Sequence, residues 1–352
     1  MIVRALLCAG VLVLSAAACS SSGHGATPSP DRSTTTRPAP TDEPPAVPWT
    51  ELHNPLLTST QYAVKDPALV FSGGEWHALF SAVDRAGTWR IGLASSPDLR
   101  RWSPITTMPH DASVEGEASP DVVRAPDGRW VVTYQSFVHD RSGAAPKLYY
   151  RTTDDFARFS APRPLGAALH PAAGDRMIDA ALAWTPAGLM LGYKLGADEQ
   201  HFEVARSESG SLDGPWKLIG RPDITVLGDT IENYQFVPLG GHWRLLATSN
   251  TLDRPYLFTL AGDPHSAGGW LHWSAGRELH IPQEPWNRGT GATGVTYEHA
   301  NCAFVVDRAP IDGATYLVYA DSPNKTTFGG EGPAVLALAR SRDLTTWTVP
   351  GN

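Results

Sequence analysis

Three carboxylic acids, far apart in a chain of 352 residues, stand in one local setting. Asp66 follows Val64-Lys65 and precedes Pro67 and the apolar run Ala68-Leu69-Val70-Phe71. Asp179 follows Met177-Ile178 and precedes Ala180-Ala181-Leu182, and Glu232 follows Ile231 and precedes Asn233-Tyr234-Gln235-Phe236. Taken singly, an acid at the head of a short strand is a common turn residue, as Asp66 before Pro67 illustrates. Three that converge are another matter, because like charges brought together destabilise a fold unless they serve a purpose. The chemistry that wants such a trio is the hydrolysis of an acetal. One carboxyl group stays protonated and gives its proton to the leaving oxygen. A second stays ionised and activates water on the other face, about 6.5–9.5 Å away when configuration inverts, and a third negative charge raises the pKa of the acid.

Convergence has to come from the fold, and the sequence repeats itself in a way that supplies it. One unit is an apolar strand at 68–71, a turn containing Gly73-Gly74, and a second strand at 75–80. Counterparts run from 122–124 to 130–134, from 180–184 to 189–193, from 234–237 to 243–247, and from 303–306 to 316–319. Each of the five hairpins is followed by a third strand and a polar turn ending in an aromatic residue, clearest in Ser96-Pro97-Asp98-Leu99-Arg100-Arg101-Trp102 and Ser341-Arg342-Asp343-Leu344-Thr345-Thr346-Trp347. A four-stranded sheet repeated about every 55 residues cannot bury both faces alone, whereas five packed radially can. The expectation is an all-β, five-bladed β-propeller over residues 49–352, with no helical stripe of useful length.

The first strand of each blade lines the central channel of a propeller. Reading the residue ahead of each such strand gives Asp66, then Ser119 or Asp121, then Asp179, Glu232 and His299, so four blades aim a titratable group at one volume. The Trp residues at 76, 102, 130, 243 and 347 recur at equivalent places and read as blade packing, while Trp89, Trp270 and Trp286 break the repeat and are candidates for a substrate cleft. The run Asn287-Arg288-Gly289-Thr290-Gly291-Ala292-Thr293-Gly294 has no strand-to-helix context for a phosphate loop. It reads instead as a mobile segment near the channel from which Arg288 reaches the substrate.

Composition narrows the partner. A formal net charge of -8 gives no attraction to nucleic acid or to anionic lipid, which leaves a neutral substrate as the better fit. Residues 1–19 read as an export signal: Arg4, an apolar segment from Ala5 to Leu14, and the small residues Ala16-Ala17-Ala18 ahead of Cys19. Cys19 in this setting resembles the lipidated cysteine of a bacterial lipoprotein. Residues 20–48, rich in Ser, Thr and Pro, form a disordered tether. The expected location is extracytoplasmic, either anchored to the membrane by a lipid on Cys19 or secreted. Cys302 reads as a small buried hydrophobe, and no disulfide follows from the three cysteines.

The stretches Val64-Lys65-Asp66-Pro67-Ala68-Leu69-Val70, Trp130-Val131-Val132-Thr133-Tyr134-Gln135, Ser160-Ala161-Pro162-Arg163-Pro164-Leu165, Met177-Ile178-Asp179, Ile231-Glu232-Asn233-Tyr234-Gln235 and Tyr297-Glu298-His299 together resemble the five-bladed propeller glycosidases of glycoside hydrolase families 43 and 62. The resemblance implies an inverting glycosidase, chiefly an α-L-arabinofuranosidase acting on arabinose-containing polysaccharide, with xylosidase, arabinanase or galactan-directed activity as alternatives. It makes Asp66 the general base, Glu232 the general acid and Asp179 the carboxylate that raises the acid's pKa. It also gives Lys65 a sugar hydroxyl beside the base, sets Tyr134 and Gln135 at the pocket wall with Gln135 bound to a hydroxyl, and makes His299 an axial histidine that contacts the pocket directly, through water or through calcium. The resemblance implies no required cofactor and allows a structural calcium near His299, and the expected partner is a carbohydrate met by a monomer.

Two departures bear on the substrate. Family 62 places a Trp directly after the Tyr-Gln pair, whereas Ser136 and then Phe137 follow here. A fructosyl-cleaving propeller would start on Asn-Asp-Pro and carry Arg-Asp-Pro, and neither is present. The competing reading is a surface lipoprotein that keeps the pocket and only binds carbohydrate; retention of all three acids argues against it.

Overall fold

The computed structural model describes residues 45–137, 146–172, 174–196, 201–222, 224, 230–249, 252, 254–282, 284, 288–290, 296–298, 300–321 and 335–351. Apolar strands broken by tight turns give five antiparallel four-stranded sheets, each in plain sequence order from the centre outward. The first blade holds β1 (Tyr62–Ser72), β2 (Glu75–Asp84), β3 (Trp89–Ser96) and β4 (Thr106–Thr107). The second holds β5 (Gly116–Arg124), β6 (Trp130–Phe137), β7 (Lys147–Thr153) and β8 (Arg163–Pro164). The third is β9 (Met177–Thr185), β10 (Gly188–Leu195), β11 (His201–Ser207) and β12 (Trp216–Gly220), and the fourth β13 (Ile231–Leu239), β14 (His242–Ser249), β15 (Pro255–Thr259) and β16 (Arg277–Glu278). A short hairpin, β17 (Arg288–Thr290) and β18 (Thr296–Glu298), precedes the fifth blade of β19 (Asn301–Asp307), β20 (Thr315–Asp321), β21 (Val335–Ser341) and β22 (Trp347–Thr348). The inner strands touch in the cyclic order β1, β5, β9, β13, β19 and back to β1, which makes this a closed five-bladed propeller.

Every inner strand carries a β-bulge at the same place. Register slips by one residue at Asp66-Pro67, Ser119-Pro120, Asp179-Ala180, Asn233-Tyr234 and Cys302-Ala303. The first residue of each pair sits in the left-handed region, with φ between 51° and 54°. Such bulges normally place glycine there; none of these is glycine, so each position stores backbone strain of order 1–3 kcal/mol that its surroundings must hold. The bulge turns one side chain per blade toward the axis, and it corrects the expected register. The bulge residue of the fourth blade is Asn233 and not Glu232, and that of the fifth is Cys302; Glu232 is one residue ahead of the bulge, in the place Lys65 takes in the first blade. Moreover, the acids lie inside the inner strands, which begin earlier than the apolar runs suggest.

Packing between blades is apolar, with polar pins. Gln235 donates to the Val305 carbonyl (3.0 Å) and accepts from the Val305 amide (2.7 Å), locking the fourth blade to the fifth. Asp121, two residues past its bulge as Gln235 is, accepts from the Leu182 amide of the next blade (3.4 Å), and burial pushes its pKa up to about 7. Asp121 is therefore an interblade pin, and Ser119 is the axial residue of the second blade. The ring is closed from the amino-terminal side. Leu57 bridges Leu336 on β21, and Asn54 both donates to the Leu338 carbonyl (2.9 Å) and accepts from its amide (2.9 Å). Among the described residues, the first contact with the domain is at Pro45, whose carbonyl accepts from Arg308 (2.6 Å).

The repeated polar turns also have one geometry. Leu99, Phe156 and Leu344 adopt positive φ after Asp98, Asp155 and Asp343, whose carboxylates accept from the two backbone amides that follow. Trp76, Trp130 and Trp347 are buried, and Trp102 and Trp243 pack on the cores. Trp270 belongs with them and not in a cleft: it is fully buried against Phe236, Trp243 and Trp273, because the turn Ala267–Leu271 folds it under the fourth blade. Trp286 and His299 lie outside the described residues. Residues 288–290 and 296–298, read from sequence as part of a mobile segment, pair as the β17–β18 hairpin, Arg288 opposite Glu298.

Replacing Gln235 with Ala leaves the Val305 amide and carbonyl buried without partners. At about 1–3 kcal/mol for each orphaned group, the expected loss is about 2–4 kcal/mol, read as a lower Tm and lower denaturant midpoint. A variant as stable as the parent would show that this pin contributes nothing.

Candidate active site

The bulges of β1 and β9 place Asp66 and Asp179 side by side at one end of the axis, each only 5% exposed. Asn233 ties them together: its side chain donates to Asp66 Oδ1 (3.2 Å) and its amide to Asp179 Oδ2 (3.4 Å). Asp66 Oδ2 accepts from the Ser81 hydroxyl on β2 and from Ser119 Oγ (3.4 Å), while Ser81 Oγ also takes the Ser119 amide (2.8 Å). Gln135 Oε1 accepts from the Asp179 amide (2.8 Å), fixing the strained turn of the third blade from the second. The five bulges are thus stitched to one another by the groups they present.

Glu232 joins the same space from β13. It lines, with Asp66 and Asp179, a depression of about 160 Å³ whose walls include Lys65, Trp89, Phe137 and Arg176. Its Oε2 meets Lys194 Nζ at 3.1 Å, and Lys194 is buried. Below it the axial channel is lined by the bulge residues, among them Cys302. Cys302 is buried, as expected, but it faces this channel; burial and then the negative charge of Asp66 push its thiol well above the ordinary value.

Burial is the first cause that raises Asp179, to about 7, and the charge of Glu232 is the second; Lys194 opposes both, and Asp66 adds a smaller push. The sequence assigned the elevated pKa to Glu232, whereas here the elevated group is its neighbour Asp179. Asp179 therefore retains its proton to about neutral pH, beside the charge of Glu232.

Lys65 lies 5.5 Å from the Trp89 ring centroid, and Trp89 packs on Phe137 at 6.1 Å, giving the depression an aromatic wall. Alternation along β6 explains the pairing: Gln135 and Phe137 share the pocket face, which puts Tyr134 on the other. Tyr134 is accordingly not at the pocket wall. It is buried in the blade core beside Tyr149, its hydroxyl accepts from Arg151 (3.2 Å), and burial with the nearby Glu117 charge pushes it up to about 12. Arg176, three residues ahead of Asp179, was not found from sequence, and only the period-two count back from a correctly placed bulge would have marked it. For Arg288 the backbone pairing alone is described, and Cys19 lies outside the described residues. Among the described residues no three His, Cys, Asp or Glu side chains are placed to hold a metal, and His299, on which the calcium expectation centres, is not among them.

No family model and no curated protein sequence matches the chain. Solved structures with the same fold do. An α-L-arabinofuranosidase from Lactobacillus brevis superposes with a TM-score of 0.59 at 14% identity, over 85% of this chain and 97% of that one. A GH32 beta-fructofuranosidase from Bombyx mori gives 0.57 at 15% identity, over 81% of this chain and 61% of the other. The Bacteroides ovatus xyloglucan-locus protein GH43B gives 0.54 at 15%, over 85% and 56%. The neighbours are glycoside hydrolases built on this propeller; at such identities the likeness establishes the fold.

The electrostatics carry a stability consequence. An acid with a pKa of about 7 folded and 3.8 ordinarily binds its proton more tightly in the folded state, so it subtracts stability as pH rises from about 4 to about 7. Asp179→Asn removes that burden while keeping an acceptor for the Asn233 amide. Its Tm should exceed the parent's at about pH 8, by about 2–4 °C per kcal/mol recovered, and the gain should disappear near pH 4. Calorimetry at the two pH values decides; a gain of equal size at both contradicts the elevated pKa.

Proposed function

We propose that the chain is an inverting glycoside hydrolase acting on arabinofuranosyl linkages of arabinose-containing polysaccharide. The single observation that carries the reading is the meeting of Asp66, Asp179 and Glu232 in one sugar-sized depression. The catalysed step balances as follows. Glu232 gives its proton to the glycosidic oxygen as the bond to the anomeric carbon breaks. Water attacks that carbon from the opposite face and loses its proton to Asp66, and solvent exchange returns both groups to their starting states. Asp179 keeps a proton within the acidic pair at neutral pH, and Lys194 steadies Glu232 once it is ionised. The buried anchoring of Asp66 by Ser81 and Asn233 suits a group that must remain oriented toward water. Lys65 and Gln135 are assigned to sugar hydroxyls. Arg288 remains in the proposal on the reading of its Gly-rich segment, and His299 on the resemblance, as does a calcium ion, and no step above depends on any of them.

Lys65-Asp66-Pro67, with no Arg-Asp-Pro elsewhere, favours this over a fructosyl-cleaving enzyme of the same fold. The export signal, lipidation of Cys19, the tether at 20–48 and a monomeric, extracytoplasmic enzyme complete the proposal on sequence grounds.

Asp66→Ala and Glu232→Ala should each lose about 100- to 10,000-fold in kcat on an aryl α-L-arabinofuranoside while staying folded by circular dichroism. Parental turnover in either variant rules out the assignment. The parent's rate should also decline as pH rises past about 7, where Asp179 gives up its proton; a profile still rising there contradicts the need for a protonated Asp179.

A further inference from the structure

Two cations line the depression, Lys65 and Arg176, and a third, Lys194, stands behind Glu232; Lys194 is engaged with Glu232 and Lys65 lies beside the Trp89 ring. Arg176 is different. It lines the depression, yet no described residue gives its guanidinium a hydrogen bond or an ion pair, although three carboxylates share the same walls. A guanidinium in such company ordinarily pairs with a carboxylate; this one has no such partner among the described residues.

Its backbone is held in place. The Arg176 carbonyl accepts from the Gly196 amide (3.1 Å), and the next residue's amide donates to Pro146 (2.9 Å). On the segment leading to it, Lys147 Nζ on β7 donates to the carbonyls of His170 (3.0 Å), Ala172 (2.8 Å) and Asp175 (2.7 Å). The His170 ring in turn meets Glu203 Oε2 at 2.8 Å, and Glu203, 2% exposed, also accepts from Tyr193 (2.7 Å) and Arg221 (3.2 Å). A lysine spent on three carbonyls and a buried carboxylate spent on a histidine fix the segment that delivers Arg176. The backbone that carries Arg176 is therefore fixed, and the five N–H donors of its guanidinium form a planar fork suited to a planar oxyanion.

We infer that Arg176 forms a subsite for a monoanionic group on the substrate, a uronate carboxylate on the sugar next to the one being cleaved, with Trp89 and Phe137 covering the apolar face of that sugar. A single negative charge fits better than a dianionic phosphate, since Asp66 and Glu232 already repel anions from this space. The inference rests on the proposed glycosidase reading for the position of the reacting sugar, and it goes beyond that reading in naming the substrate's charge.

The test uses the full chain and a matched pair: an α-L-arabinofuranosyl galacturonide and its methyl ester, which differ in the carboxylate charge and one methyl group. Hydrogen bonds to a charged group contribute about 1.5–3 kcal/mol, so kcat/KM should favour the free acid by about 10- to 100-fold in the parent, and Arg176→Gln should erase that ratio to within about twofold. Equal kcat/KM for acid and ester in a parent that hydrolyses both overturns the subsite and leaves the glycosidase reading standing. Titration calorimetry with methyl galacturonate and its methyl ester reads the subsite without turnover. Tighter binding of the acid that Arg176→Gln abolishes supports it even if no glycoside is cleaved, and equal affinities overturn it. A sulfated galactoside that binds better than the galacturonate would also overturn the uronate assignment.

Discussion

A non-glycine residue held in the left-handed conformation at the bulge of every inner strand is the constraint from which the rest of this structure follows. The bulge is what turns Asp66, Ser119, Asp179, Asn233 and Cys302 toward the axis, and what leaves Lys65 and Glu232 one step back, at the wall of the depression. Each such residue is strained, and each is held from outside its own blade: Ser119 through Ser81, Asp179 through Gln135, Asn233 through the acids it binds. Strain and function are consequently the same feature. The hydrogen bonds that make the backbone conformation tolerable also orient the carboxylates and join the blades.

Electrostatics follows from this geometry. Two buried acids and a half-exposed one in so small a space cannot all be ionised at low cost, and Lys194 offsets only part of the repulsion. The site keeps a proton near neutrality because of where its residues are buried. That condition, which an acid catalyst of acetal cleavage requires, destabilises the empty fold, a tension expected where function sets the arrangement.

Much of this was legible in the sequence, and the limits are physical. The five-bladed architecture could be read because each hairpin restates the same apolar alternation and glycine turn, and because the Asp98, Asp155 and Asp343 turns repeat a recognisable pattern. The trio of acids could be read because each stands beside an apolar strand. The bulge could not, because a one-residue slip leaves no mark on composition when glycine is absent, and so Glu232 was aligned with the axial residues in place of Asn233. The family resemblance likewise put Tyr134 at the wall, although alternation gives that place to Gln135 and Phe137. Trp270 broke the repeat because it fills the core of an irregular turn, and a deviation from a repeat marks a structural need as readily as a ligand. Arg176 was invisible because the contacts that fix it come from Lys147, Glu203 and Gly196, all distant in sequence.

The central claim is that these bulges assemble one sugar-binding space with the base and the acid on opposite faces. A crystal structure of the protein with an arabinofuranose-configured iminosugar tests it most directly. The account predicts the inhibitor ring in the depression between Asp66 and Glu232, with Asp179 beside the ring. Clear density for the inhibitor at a different surface, with this depression filled by solvent alone, would contradict it.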